Sequence, residues 1–291
     1  MLNQTRNYLT IDPKQYKEEL SHGYDNAAPG WQKWWKTIET ATQEVSKRLV
    51  ELAAIKPGSK VLDIATGIGE PALTAAKQVG NTGHILAIDI SPRMISFAKE
   101  RAISLGLQDV VEFKEGDAET IDLPSSTFDA ALCRWGLMFL PNPKAGLSKI
   151  YGSLVKGGHF AAAVWASPEK VPFISVPMNI VLKETNSPPP RTPGPFSMSD
   201  QNNLKKFFDE SGFIHIVIER IKVVSNFDSS DDFTAFTIDH GGPALQKVLA
   251  GETNERRQQI EKAISKGSEK YADSTGKVRF KNEAIVIVGR K

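Results

Sequence analysis

The chain has 291 residues, 40% apolar and 24% charged, with 36 basic against 34 acidic side chains for a net charge of +2. That length is one large domain or two small ones, and the apolar share excludes a disordered chain, while the balanced charge argues against a non-specific nucleic-acid binder. No stretch is long and apolar enough for a membrane span, the N-terminus has no secretory apolar core, and a lone Cys133 excludes an internal disulfide and suggests a reducing, cytoplasmic compartment.

Residues 1–58 read as helical, with Tyr24, Trp31, Trp34 and Trp35 crowded together. We take 1–44 as an N-terminal helical cap and 45–291 as the main domain. From 60 to 166 the chain alternates short apolar runs with helical patterns. The runs are 60–65, 84–89, 110–115, 129–134 and 159–166, and such alternation predicts a parallel sheet covered on both faces. Ser91-Pro92 opens one helix as N-cap and first helical residue. Another helix ends at Lys156-Gly157-Gly158, where glycine stops it. Residues 167–199 are proline-rich and cannot be one regular element, so they are expected as a cap insertion enclosing a short helix over a pocket. A helix at 200–211, a strand at 213–223, a helical segment within 225–280 and a last strand at 283–291 complete the chain.

The chemistry concentrates at Asp63 through Pro71. A buried strand leads through Ala65, Thr66, Gly67 and Gly69 into a helix. Glycine lets a ligand approach the backbone, and the helix start offers unpaired N–H groups. The same segment fits the dinucleotide pattern G-x-G-x-x-A. The second strand ends at Asp89, whose carboxylate can accept from ribose hydroxyls, with Ile90 and Met94 following it. The third is followed by Asp117 and Ala118, where the acid could meet an adenine amino group. The fourth ends at Cys133, Arg134 and Trp135. Four strands thus present polar or glycine residues at one carboxyl edge, where open α/β sheets bind ligands.

Asp63 to Gly69, Asp89, Asp117 and Leu154 to Gly158 together resemble the ordered motifs of class I S-adenosylmethionine-dependent methyltransferases. The resemblance is greatest to the small-molecule group that includes the ubiquinone/menaquinone-biosynthesis C-methyltransferases. It covers residues 45–166 well and 200–291 loosely, and departs at Ala65, where many members have a third glycine. It implies a Rossmann-like α/β fold: a seven-stranded, mostly parallel sheet with helices on both faces, its last strand antiparallel, plus helical cap segments. It implies S-adenosyl-L-methionine as cofactor and S-adenosyl-L-homocysteine as product. On that resemblance Gly67 and Gly69 hold the methionine part, Asp89 the ribose, and Asp117 with Ala118 the adenine. The family's Asn/Asp-Pro-Pro-aromatic motif for base or glutamine methylation is missing from 134–143.

The expected reaction is direct in-line methyl transfer to a small, partly apolar acceptor, with C- or O-methylation favoured. Asp63 is expected to orient the turn or meet the cofactor amino group, and otherwise to cap the helix. Arg134 could bind an acidic acceptor group or pair internally, and Trp135 could flank adenine or lie in the core. Tyr24, Trp31, Trp35, Met138 and Phe139 are acceptor-site candidates. His22, Tyr24 and His240 are the weak candidates for a base, whereas His84, His159 and His215 read as structural. No metal-ligand spacing occurs, so no metal is expected, nor a nucleic-acid partner or membrane span, and a homodimer is left open. Three other readings stay open: an NAD-dependent oxidoreductase, an RNA methyltransferase, and a non-catalytic scaffold of the same fold.

Overall fold

The computed structural model describes residues 12–291. The apolar runs become β1 (Lys60–Ile64), β2 (His84–Asp89), β3 (Val111–Glu115), β4 (Phe128–Arg134) and β5 (Leu154–Trp165), and β6 (Ile214–Phe227) and β7 (Val278–Arg290) follow. They form one sheet in the order β3-β2-β1-β4-β5-β7-β6. Every pairing from β3 to β5 is parallel, and β7 runs antiparallel to both β5 and β6. Four of the five β1 residues are buried, as a strand covered on both faces requires.

The helices are α1 (Pro13–Lys33), α2 (Trp35–Leu52), α3 (Ala72–Val79), α4 (Pro92–Ser104), α5 (Pro143–Ser153), α6 (Pro172–Glu184), α7 (Gln201–Glu210), α8 (Ser230–His240), α9 (Pro243–Ala250) and α10 (Asn254–Ser268). Their starts follow local chemistry. Asp12, Ser91 and Asn142 each accept a backbone N–H of the first turn, with proline as the first helical residue of α1, α4 and α5.

Three expectations on element bounds need correction. The Lys156-Gly157-Gly158 turn lies inside β5, not at a helix end: α5 stops at Ser153, and the register against β4 slips between Phe128 and Ala130 to absorb it. The helical segment expected within 225–280 is three helices, separated by Gly241-Gly242 and Gly251, and flanked by the ends of β6 and β7. The cap boundary at 44 falls inside α2, which runs unbroken and packs on β5 and β6, whereas α1 ends at Trp34. The first 11 residues of that cap lie outside the described residues.

Two apolar clusters divide the molecule. The larger is the sheet core with α2 to α5 and α7. The smaller sits under α6 and α8 to α10, around Phe227, Phe233, Phe236 and Phe280. A third knot, Ala28, Ile68 and Met94 with Tyr24, Trp31, Trp35 and Phe97, seals α1 against the glycine turn and α4.

Candidate active site

The glycine turn is held from below. Asp63 is wholly buried, and its Oδ2 accepts the Ala72 N–H at 3.0 Å, tying the end of β1 to the first residue of α3. Burial pushes its pKa up to about 7, opposed by hydrogen bonding to Thr66 and Ala72 and by the Arg134 charge. Asp63 therefore orients the turn by capping the helix. Gly67 has φ +56°, and a Cβ built there would meet nothing within 4 Å. The turn thus needs a left-handed residue at a point that faces open space. Ala65 also lies at φ +56°, which explains why glycine suits that place.

Asp89 ties the turn to the next unit. Its Oδ2 accepts the Gly67 N–H at 2.8 Å and its Oδ1 the Ser91 N–H at 2.9 Å. Burial raises its pKa to about 6, against the pull of those backbone donors. A carboxylate offers about four lone-pair sites, so the two N–H bonds leave room for hydroxyl donors.

Helix α1 lies across this carboxyl edge. Lys17 pairs with Asp117 (2.8 Å) and Glu119 (2.6 Å) beyond β3. Ser21 Oγ donates to the Ile90 carbonyl at 2.9 Å. Asp25 accepts from Ser91 Oγ at 2.6 Å and from the Arg93 N–H at 3.1 Å, at the start of α4. Tyr24 is half-buried, close enough to Asp89 to feel its charge, and stacks edge-on against Phe139 at 5.9 Å. Gly30 allows the crossing over α8, since a Cβ there would stand 1.8 Å from the Asp239 carbonyl oxygen.

Several expected site residues sit differently. Asp117 faces α1 and its own turn: its carboxylate accepts from Lys17, Thr120 Oγ1 and the Glu119 N–H. That ion pair and turn capping hold its pKa low despite burial. Arg134 donates to Thr42 and Ser46 of α2, an internal pairing. Trp135, at φ +59°, stacks on Trp165 at 4.3 Å with Arg134 also over its ring, and packs against the sheet core. Met138 is buried in the sheet core. His22 is exposed on α1. His240 is packed by Phe236 (3.9 Å) and Trp31 (5.1 Å), and burial lowers its pKa to about 4. Burial also raises the Tyr24 hydroxyl, so both groups are held neutral. Trp35 carries the Arg101 guanidinium over its ring at 4.8 Å. Met94 and Ala118 are buried, and the Ile90 carbonyl accepts from Ser21 of α1. Cys133 is buried with its pKa pushed up to about 12, the state of a core thiol and not of a nucleophile.

Sequence reasoning missed Lys17, Ser21 and Asp25. Their i, i+4, i+8 spacing puts them on one helix face with Ala28, and that stripe was the available signal.

A family model described as a methyltransferase domain matches residues 55–212, more than half of the chain. The ubiquinone/menaquinone biosynthesis C-methyltransferase UbiE of Hydrogenovibrio crunogenus is 34% identical over 112 residues, 38% of this chain and 44% of that protein. The enzyme of the same name from Pseudomonas savastanoi pv. phaseolicola is 26% identical over 162 residues, 55% and 63% of the two chains. The chain thus spans about half the length of these curated relatives. Among solved structures, Haemonchus contortus phosphoethanolamine N-methyltransferase 2, in complex with phosphomonomethylethanolamine and S-adenosylhomocysteine, matches at TM-score 0.58 and 15% identity. That match covers 97% of this chain and 61% of the other, and at such identity the likeness is one of fold.

Proposed function

The chain belongs to the methyltransferase-domain family, of the class I S-adenosylmethionine-dependent kind, and from that premise we propose that it methylates a small, partly apolar organic acceptor. The observation that carries this reading is the turn itself: Gly67 opens on free space while Asp89 grips its N–H and keeps acceptor capacity. The residues fit the adenosyl cofactor. Gly67 and Gly69 admit its methionine part beside the start of α3. Asp89 accepts from the ribose hydroxyls. Ile90, Met94 and Ala118 supply apolar walls for the adenine.

When bound there, S-adenosylmethionine supplies a methyl group already activated on a sulfonium, transferred by in-line displacement. The chain's own work is then positioning and exclusion of water. Helix α1 covers the edge with Tyr24, Ala28 and Trp31, and the aromatic group of Trp31, Phe173, Phe236 and His240 makes the neighbouring surface apolar and uncharged. With His240 and Tyr24 both held neutral, a carbon or oxygen acceptor here is one that ionises readily by itself, as an enol or phenol does. Relatives named C-methyltransferases favour carbon as the nucleophile.

Transfer of a labelled methyl group from S-adenosylmethionine to a panel of hydroxyquinones, phenols and amines tests the reading. Label on the enolic and phenolic compounds is the expected result. Label on the amines alone would overturn the acceptor class.

A further inference from the structure

The two glycines of the turn flank a single residue. Gly67 lies at φ +56° and Gly69 at φ +104°, with Ile68 between them. The neighbouring N–H groups are held from the sheet side. Asp89 accepts from Gly67, and the Thr66 carbonyl accepts from Gly69 and Glu70. The Ile68 carbonyl is held by α4 instead: Arg101 Nη1 donates to it at 2.8 Å. Backbone between two glycines is the freest part of such a turn, so a donor fixed on this carbonyl removes freedom that the glycines leave.

Arg101 is itself locked. Its Nη2 pairs with Glu39, and its guanidinium carbon stands 4.8 Å from the centre of the Trp35 ring. Trp35 and Glu39 lie one turn apart at the start of α2, directly after α1 ends. The Arg101 side chain is 13% exposed and Glu39 27%, so both contacts are stronger than those of a solvated surface pair. A planar fork serves a carbonyl and a carboxylate at once, which a lysine ammonium on a flexible stem does not. A cavity of about 260 Å³ opens on this group, lined by Trp35, Glu39, Ile68, Phe97 and Arg101.

We propose that Arg101 is a positioning residue for cofactor binding: clamped by Glu39 and Trp35, it fixes the Ile68–Gly69 peptide in the geometry that receives the ligand. It acts through the turn backbone and from behind it, and touches no ligand. The clamp lowers the cost of ordering two glycines when the cofactor arrives. It also ties the corner between α1 and α2 to the turn, so the helical cover and the cofactor site are joined through one side chain. This rests on the cofactor reading above.

Calorimetric titration with S-adenosylhomocysteine tests the proposal in three chains: wild type, Arg101→Ala and Arg101→Lys. The alanine variant is expected to bind about tenfold more weakly, and the lysine variant, which keeps one donor for the Ile68 carbonyl, about threefold. Alanine also enlarges the cavity by the volume of the lost side chain. Guanidinium chloride at tens of millimolar, far below denaturing concentrations, is therefore expected to restore most of the lost affinity, and the same concentration of sodium chloride none of it. A residue that only stabilises the fold gives no such rescue. Thermal unfolding shows that the variants fold, and the lysine variant carries the test should the alanine chain fail to. Wild-type affinity in Arg101→Ala, or a loss that neither lysine nor guanidinium recovers, would overturn the proposal and spare the cofactor reading. A wild-type chain that does not bind S-adenosylhomocysteine would sink the cofactor reading, and the proposal with it.

Discussion

The carboxyl edge of β1 to β3 and the helical cover over it hold their side chains in opposite ways. On the edge, carboxylates grip backbone N–H groups: Asp63 takes Ala72, and Asp89 takes Gly67 and Ser91. In the cover, rings touch rings across long stretches of chain, as Trp31 meets His240 and Phe173 meets Phe280. The first arrangement is a property of the fold and fixes geometry. The second depends on side-chain shape and changes with each substitution. Cofactor binding is thus expected to be sensitive to few positions and acceptor choice to many.

The most severe break in the edge is Gly67→Val. A branched residue at φ +56° is strained, and its methyl groups enter the open space beside the turn. Loss of S-adenosylhomocysteine affinity by ~100-fold or more, about 2.7 kcal/mol, is expected by calorimetry, with folding retained by circular dichroism. Next, Asp89→Asn removes charge from the proposed ribose contacts and is expected to cost roughly 1.5–3 kcal/mol of cofactor binding. It also carries a pH signature. The Asp89 carboxyl titrates at about 6 in the folded chain. Its ionised form is the better acceptor, so affinity rises as pH climbs through 6 and falls as pH drops through it. Asn at this position flattens that profile, and a wild-type profile that is flat from pH 5 to 8 would remove Asp89 from the site.

The cover is broken most directly by Gly30→Ala, which sets a Cβ against the Asp239 backbone. The expected result is a lowered denaturation midpoint, equivalent to about 1–2 kcal/mol, since overpacking outweighs the gain in helix propensity. The smallest effect runs the other way. Ala65→Gly relieves a left-handed alanine and is expected to add about 0.5–1 kcal/mol of stability, after the entropy of a freer unfolded chain is subtracted.

The same contrast explains what the sequence revealed. Strand periodicity, the cap at Ser91, and the turn from Asp63 to Gly69 are set by neighbours in the chain, and each was legible. Asp117 and Arg134 were legible as residues at strand ends but not in their partners. Lys17 lies 100 residues from Asp117 and Thr42 lies 92 from Arg134. Local pattern does not encode a contact of that span. The pairing of Trp31 with His240 was hidden for the same reason, and burial of that histidine changed its chemistry from candidate base to neutral ring.

The central claim is that this edge holds an adenosyl cofactor. Calorimetric titration of the purified chain, stripped of co-purified ligand, with S-adenosylmethionine, S-adenosylhomocysteine and NADH tests it most directly. The account predicts binding of both adenosyl compounds in the micromolar range, on the order of −8 kcal/mol, and none of NADH. Binding of NADH in their place, or of none of the three, would contradict it.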